Sequence, residues 1–299
     1  MSTSTSDQAA LGTADHASAR ARFSVRHIPL ILLAPSIVLL FVFLVLPLAI
    51  IVLTSLQPNV LLTFDAPGID NYGYMLSKSY YLAVIVRTVR IAFVTTLIGL
   101  PISFLAAILI YRLDERFRNI ALMGLTFPVL TGPLAIVLGY MALLTDGGPL
   151  FGPMIELGLI PPLKLLGTET AVIISLIQFV LPFAVLTLYT AVSRIPQQLY
   201  EAVTSLGGAR MSCFLHVTLP LSLPGLLSAS IICFSLAASS YVSPYYLGGA
   251  AQQTLTTLIS QFILATYNSQ LAAAAAVLLL VVMLVTIVAI TAFFRKFIR

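Results

Sequence analysis

Residues Glu201–Gly225 read EAVTSLGGARMSCFLHVTLPLSLPG, and they form the one long segment that looks neither membrane-buried nor like a simple turn. At helical spacing Leu199, Val203 and Leu206 share a face. Gly207-Gly208 then interrupts the helix, and Met211, Phe214, Leu215 and Thr218 form a second short stripe ahead of Pro220 and Pro224. The pattern predicts helix, elbow, helix. Both stripes are partly apolar with little local sequence to bury them, so the unit needs another surface to dock against.

The rest of the chain says where that surface lies. Of 299 residues 60% are hydrophobic and 8% charged, against about a quarter charged in soluble proteins, which makes this an integral membrane protein. Crossing a bilayer takes about 20 apolar residues. Uncharged runs of that length occur at residues 28–56, 91–111, 119–144 and 170–192. After Arg210 no charged residue appears until Arg295. That run is too long for one span, and SPYYLGGAAQQT (243–254) and TYNSQ (266–270) divide it into spans near 221–242 and 271–293. Six transmembrane helices result. No segment shows the alternation that a transmembrane barrel requires, so the fold class is an all-α membrane bundle.

The basic residues sort by side. Arg20, Arg22 and Arg26 precede the first span; Arg112, Arg116 and Arg118 separate the second and third; Arg194 and Arg210 separate the fourth and fifth; Arg295, Lys296 and Arg299 close the chain. With six alternating spans all of these fall on one side, and the positive-inside rule makes that side, with both termini, cytoplasmic. The net charge of +5 is thus a topology signal and not a nucleic-acid surface. The 201–225 stretch is cytoplasmic with it.

Residues 1–27 are read as a disordered cytoplasmic tail, Ser/Thr/Ala-rich at first and then basic; 28–299 form a single transmembrane domain. The first apolar run is too long for a signal-peptide core and lacks an A-x-A site after it. It is expected to stay as a helix kinked at Pro47. Gln57–Tyr81 carries turn residues and lies outside. Arg87 and Arg90, one turn apart at the start of span two, either snorkel to the outer headgroups or line the outer mouth of a pore. Pro128 and Thr131-Gly132-Pro133 bend or break span three. The outer loop from Thr145 opens with a compact turn, DGGPLFGP, with room for a short surface helix. Gln178, Ser239, Ser240, Tyr241 and Tyr245 are the polar and aromatic candidates for a solute path, each equally able to serve helix packing. Ala272–Ala276 permits close helix contact.

Several chemistries are missing from the sequence. It has no G-x-x-x-x-G-K-[ST] loop, no H-E-x-x-H pair and no G-x-S-x-G elbow. His16, His27 and His216 are scattered, and Cys213 and Cys233 do not suggest a disulfide framework or a metal site. The spans carry no Asp or Glu in their middles, where an ion-driven carrier places them. The chain is read as non-enzymatic, with no cofactor of its own and its energy supplied from outside. A stand-alone secondary carrier or channel is the alternative.

The spacing in the cytoplasmic stretch is specific. Glu201-Ala202-Val203, three residues, Gly207, nine residues, then Val217-Thr218-Leu219-Pro220 resembles the EAA motif of permease subunits of binding-protein-dependent ABC importers, the MetI-like family, with Val203 and Val217 replacing Ala and Ile. LPFAVLTLYTAVSRIPQQLYEAVTSLGGAR (181–210) and YVSPYYLGGA (241–250) are similar to the branch that carries spermidine, putrescine, opines and related nitrogenous solutes.

The resemblance implies a bacterial inner-membrane permease that pairs with a second permease subunit, a different chain or another copy. It further implies two ATPase subunits holding ATP and magnesium, and an external solute-binding protein. Within the coupling loop 194–221, Glu201 is then the charged contact to the ATPase and Ala202 and Val203 the docking surface. Gly207 and Gly208 are the elbow, and Leu219-Pro220 returns the chain into span five.

Overall fold

The computed structural model describes residues 28–59, 67–145, 147–149, 151–157 and 164–298. The expected tail, residues 1–27, lies outside them. Two compact units are present, Met1–Thr54 and Ser55–Arg299. Among the described residues every regular element is helical.

In the first unit α1 (Ile28–Leu40) passes through a π turn, Phe41–Val45, into α2 (Leu46–Ser55). Pro47 follows this turn by two residues. Proline has no N–H to give and its ring crowds the carbonyl four residues back, here Phe43. Widening the turn to π register accommodates the misfit without stopping the helix. The kink expected at Pro47 is thus replaced by a π turn within a span that runs unbroken over Pro35–Ser55.

The second unit continues with α3 (Asp70–Ser77), α4 (Ser79–Arg112), α5 (Glu115–Thr131), α6 (Pro133–Leu144), α7 (Phe151–Glu156), α8 (Glu169–Ser193) and α9 (Gln197–Ser205). It closes with α10 (Arg210–Ser239), α11 (Leu255–Leu264) and α12 (Ser269–Ile298). Five helices are long and apolar enough to cross a membrane, and a sixth span results if α5 and α6 count as one. These two meet at 94°, at the predicted place. Gly132 stands between them with φ 82 and ψ 147, a region closed to residues with a Cβ, and Pro133 starts α6 where its missing N–H costs nothing.

The core of this unit is the three-way packing of α4, α8 and α10. Ala92, Leu176, Val180, Leu188, Cys233 and Phe234 are fully or almost fully buried there. A second cluster joins α3, α11 and the start of α12, with Met75, Leu255, Leu258 and Leu271 inside. Ala272, Ala273, Ala274 and Ala275 are all buried, the close contact that their size permits. Beside this cluster three buried asparagines bond to one another. Asn59 Nδ2 donates to Asn71 Oδ1 and to Asn268 Oδ1, both at 3.1 Å, and Asn268 Nδ2 returns a bond to Asn59 Oδ1 at 3.2 Å.

Two expectations change here. The segment read as an outer loop, Gln57–Tyr81, contains α3 and the start of α4. With 34 residues α4 is about 51 Å long at 1.5 Å per residue, well beyond a hydrocarbon layer of about 30 Å. Span five is also longer than expected, because α10 begins at Arg210 and not near Leu221. A π turn at Phe214–Thr218 stands two residues before Pro220, repeating the arrangement ahead of Pro47. Leu219-Pro220 is accordingly an interior point of one helix and not a return from a separate short one.

Candidate functional site

The basic end of the second unit carries the segment that the sequence singles out. Pro196 holds the residue before α9 extended, and α9 then runs from Gln197 to Ser205. Its inner side is fixed by Tyr200, whose hydroxyl lies 3.1 Å from Thr218 Oγ1 on α10, and by half-buried Val203. Its end is a complete Schellman turn. Gly208 N–H donates to Val203 O at 2.9 Å and Gly207 N–H to Thr204 O at 3.0 Å, with Gly207 at φ 78. The double glycine thus forms the turn between α9 and α10, and the second short helix of the sequence reading is the opening of α10.

The outer side of this unit is bare. Glu201 and Ala202 are exposed. Leu206 is 89% exposed, Met211 65%, Leu215 49% and Leu199 41%. The apolar stripe read from the sequence thus divides: Val203 faces the bundle, while Leu199 and Leu206 face outward. On α9, the elbow and the start of α10, four large apolar side chains and Glu201 are thus left uncovered by the chain itself.

At the other end of α10 the chain turns at Ser240 and passes through a π turn, Pro244–Gly248, and a short 3₁₀ turn, Gly249–Gln252, before α11. Thr254 caps α11 with a reciprocal box, its backbone N–H donating to Thr257 Oγ1 at 2.9 Å. Two bonds clamp this cap. Thr256 Oγ1 donates to Ser240 O at 2.8 Å, and Leu255 N–H donates to Thr88 Oγ1 of α4 at 2.9 Å. Between the turn and α11 lies a pocket of about 480 Å³, lined by Tyr241, Tyr245, Gln253, Thr257, Ser260 and Gln261 among others. The rings of Tyr241 and Tyr245 are stacked at 5.1 Å. Gln253 Nε2 donates to Gln261 Oε1 at 2.7 Å, while Tyr80 OH bonds Gln253 Oε1. The lining is uncharged, offering aromatic faces, amides and hydroxyls.

Of the five path candidates, Tyr241 and Tyr245 share this pocket. Ser240 touches its frame through Thr256. Ser239 Oγ is turned to its own helix, bonding Ser235 O at 2.7 Å. Gln178 lies on α8, half-buried, with Oε1 buried and unbonded, and it does not line the pocket.

Arg87 and Arg90 do something neither sequence reading contained. Both pair with Glu169, at the first turn of α8. Arg87 Nε lies 3.5 Å from Glu169 Oε1, and the second pair is Arg90 with the same oxygen. Arg87 also donates from Nη1 to Gln253 O at 3.3 Å. It therefore ties α4 to α8 and to the pocket wall. Glu169 suits the positive pole of α8. The partners that sequence reasoning missed are Glu169, Gln253, Gln261 and Tyr80. Only Glu169 carried a signal, as a lone carboxylate opposite two unpaired arginines.

With this geometry in view, comparison with known proteins is informative. Residues 99–299 match the family of binding-protein-dependent transport system inner membrane components. The chain belongs to that family. Like its relatives this permease is a transport subunit and a multi-pass membrane protein. It is 29% identical over 197 residues to the spermidine/putrescine transport system permease protein PotB of Salmonella typhimurium, covering 65% of this chain and 68% of that one. It is 24% identical over 233 residues to a PotC homolog of the same kind of system from Mycoplasma genitalium, covering 74% and 78%. Among solved structures, a bacterial alginate ABC transporter in complex with an alginate pentasaccharide-bound periplasmic protein has a chain that superposes with TM-score 0.76 at 18% identity, over 92% of this chain and 96% of that one. At that identity the likeness concerns the fold alone. The six-span permease architecture stands, and a stand-alone carrier or channel is the weaker reading.

Proposed function

We propose that this permease forms, together with a second permease subunit, the translocation path of an ABC importer for a small nitrogenous solute of the polyamine class. Two cytoplasmic ATPase subunits, which hold ATP and magnesium, drive it, and an external binding protein delivers the solute. Both termini lie in the cytoplasm, with the basic loops. The observation that carries this reading is the bare surface on α9 and its elbow: exposed Glu201 and Ala202, with Leu206 and Met211 beside them. Burying apolar side chains of this size yields about 1.5–3 kcal/mol each, and a rigid Schellman turn presents them without cost in loop ordering. Glu201 then meets a basic group of the ATPase.

The outer pocket is the first part of the path within this chain. The names of the relatives support a polyamine. The stacked tyrosines offer faces for a cation, and Gln261 and Ser260 offer oxygens. Glu169 is occupied by two arginines, so recognition at the pocket rests on these neutral groups, and selectivity rests largely with the binding protein.

The test is Glu201→Lys in the assembled importer. The variant is expected to insert and assemble in normal amount, while solute-stimulated ATP hydrolysis and transport are lost; normal transport would refute the role. A screen of solutes for stimulated ATP hydrolysis, with binding protein and ATPase present, tests the cargo separately. Stimulation by no polyamine would remove that assignment and leave the coupling role intact.

A further inference from the structure

A second pocket, of about 530 Å³, opens at the arginine-rich ends of the helices, between α4, α5, α8, α9 and α10. Tyr111, Arg112, Arg118, Gln197, Tyr200 and Thr218 line it over a floor of Ile108 and Val192. The ion pairs among the described residues both go to Glu169. The guanidinium groups of Arg112 and Arg118 have neither ion pair nor hydrogen-bond partner among the described residues, and Asp114 and Glu115, which lie between them in sequence, do not line the pocket. Tyr200 OH is engaged by Thr218, whereas Tyr111 OH has no partner.

Helix electrostatics accounts for only one of these arginines. Arg112 is in the last turn of α4, where the macrodipole favours a cation. Arg118 stands in the opening turns of α5, which begins at Glu115, and at that positive pole a second unpaired cation is disfavoured. An anion between the two guanidinium groups removes the conflict. The forked donors of arginine fit phosphate oxygens, and Tyr111 OH adds a further donor.

We propose that this pocket binds the phosphate of an anionic phospholipid headgroup. Its walls are the last turn of α4, the end of α8 and the early part of α10, so it opens at the level where the spans leave the membrane and where headgroups lie. Ile108 and Val192 continue the floor toward the apolar part of the spans, which suits an acyl chain below a phosphate. Basic pockets between spans on the positive side of a membrane are where such headgroups are held. Gln197 and Tyr200 belong to α9, so the bound lipid touches the same helix that presents Glu201. The inference does not depend on the cargo of the importer.

The test is native mass spectrometry of the full chain with phosphatidylglycerol or phosphatidylcholine at equal concentration. The wild type is compared with R118Q, R112Q/R118Q and R112K/R118K, each first shown to elute and melt as the wild type does. Each guanidinium near an anionic headgroup is expected to contribute about fivefold, so R118Q loses about fivefold and R112Q/R118Q about 30-fold in phosphatidylglycerol retention. R112K/R118K, which keeps the charge, retains most of it, and phosphatidylcholine binding is unchanged throughout. Equal retention of the two lipids by the wild type, or unaltered preference in R112Q/R118Q, overturns the proposal. So does displacement by inorganic phosphate at the lipid's own concentration, which would make the site one for free phosphate. Loss of ATPase-subunit binding by R112Q/R118Q with lipid retention intact would overturn it in favour of a protein contact.

Discussion

Replacing Asn268 separates two contributions that one side chain makes. Its Oδ1 accepts the Leu271 N–H at 3.0 Å, capping α12, and also accepts from Asn59 Nδ2, while its Nδ2 donates to Asn59 Oδ1. Asn268 is 4% exposed and Asn59 1%, so water cannot substitute. Asn268→Ala removes the cap, which costs about 1 kcal/mol. It also leaves the Asn59 carbonyl buried without a donor, which costs about 1–3 kcal/mol. Asn59 keeps its bond to Asn71, and Asn71 its bonds to the Ser55 and Gln57 carbonyls, which holds the total near 2–4 kcal/mol. At about 2–4 °C per kcal/mol for a chain of this size, the melting midpoint should fall by roughly 4–16 °C. Asn268→Ser keeps a capping oxygen and loses only the Asn59 bonds, so it should recover about 1 kcal/mol of the loss. Thermal size-exclusion of detergent-purified protein measures both. An N268A midpoint indistinguishable from wild type, or N268S no better than N268A, would refute the reasoning.

Gly208→Ala places a Cβ 2.8 Å from Val203 O and 2.5 Å from Val203 Cγ1, so the Schellman turn must open. Insertion should survive while solute-stimulated ATP hydrolysis falls several-fold, measured on the assembled complex. Glu169→Gln leaves Arg87, which is 23% exposed, without its carboxylate. A double-mutant cycle with Arg87→Gln should give a coupling of about 1 kcal/mol, reduced from the buried value by partial exposure. Tyr241→Ala removes the stacked ring against Tyr245 and should raise the transport KM several-fold, on the basis of about 0.5–1.5 kcal/mol for an aromatic pair. Tyr241→Phe, which keeps the ring and loses only the contact with Ser260, should change it little.

The spans were legible because about 20 uncharged residues in a row admit few alternatives, and the break at Gly132-Pro133 because glycine and proline act locally. Helices α3 and α11 were not. They are 8 and 10 residues long, and residues such as Asp70, Asn71 and Gly73 suggest turns in sequence. Asn71 in fact spends its amide on carbonyls and on Asn59. The pairs Arg90–Glu169 and Asn59–Asn268 join residues 79 and 209 positions apart, a separation at which no local pattern carries information. Leu219-Pro220 reads in sequence as the return into span five after a separate short helix, because proline disturbs the α register, and the π turn at Phe214–Thr218 keeps one helix going through it instead. At the site, the spacing from Glu201 to Pro220 located the elbow, but an amphipathic stripe does not say whose surface its apolar face will meet. Leu206, exposed on the outer side, faces away from its own bundle.

The unbroken run of α10 gives the molecule a lever. Its 30 residues make a rod of about 45 Å, with the elbow at one end and Ser240-Tyr241 immediately past the other. On the coupling role proposed above, a push at Gly207 and Arg210 would travel to the aromatic pocket along one helix, so a few degrees of tilt at one end would become a displacement of ångströms at the other. A joint at Leu219-Pro220 would have absorbed the stroke close to where it began.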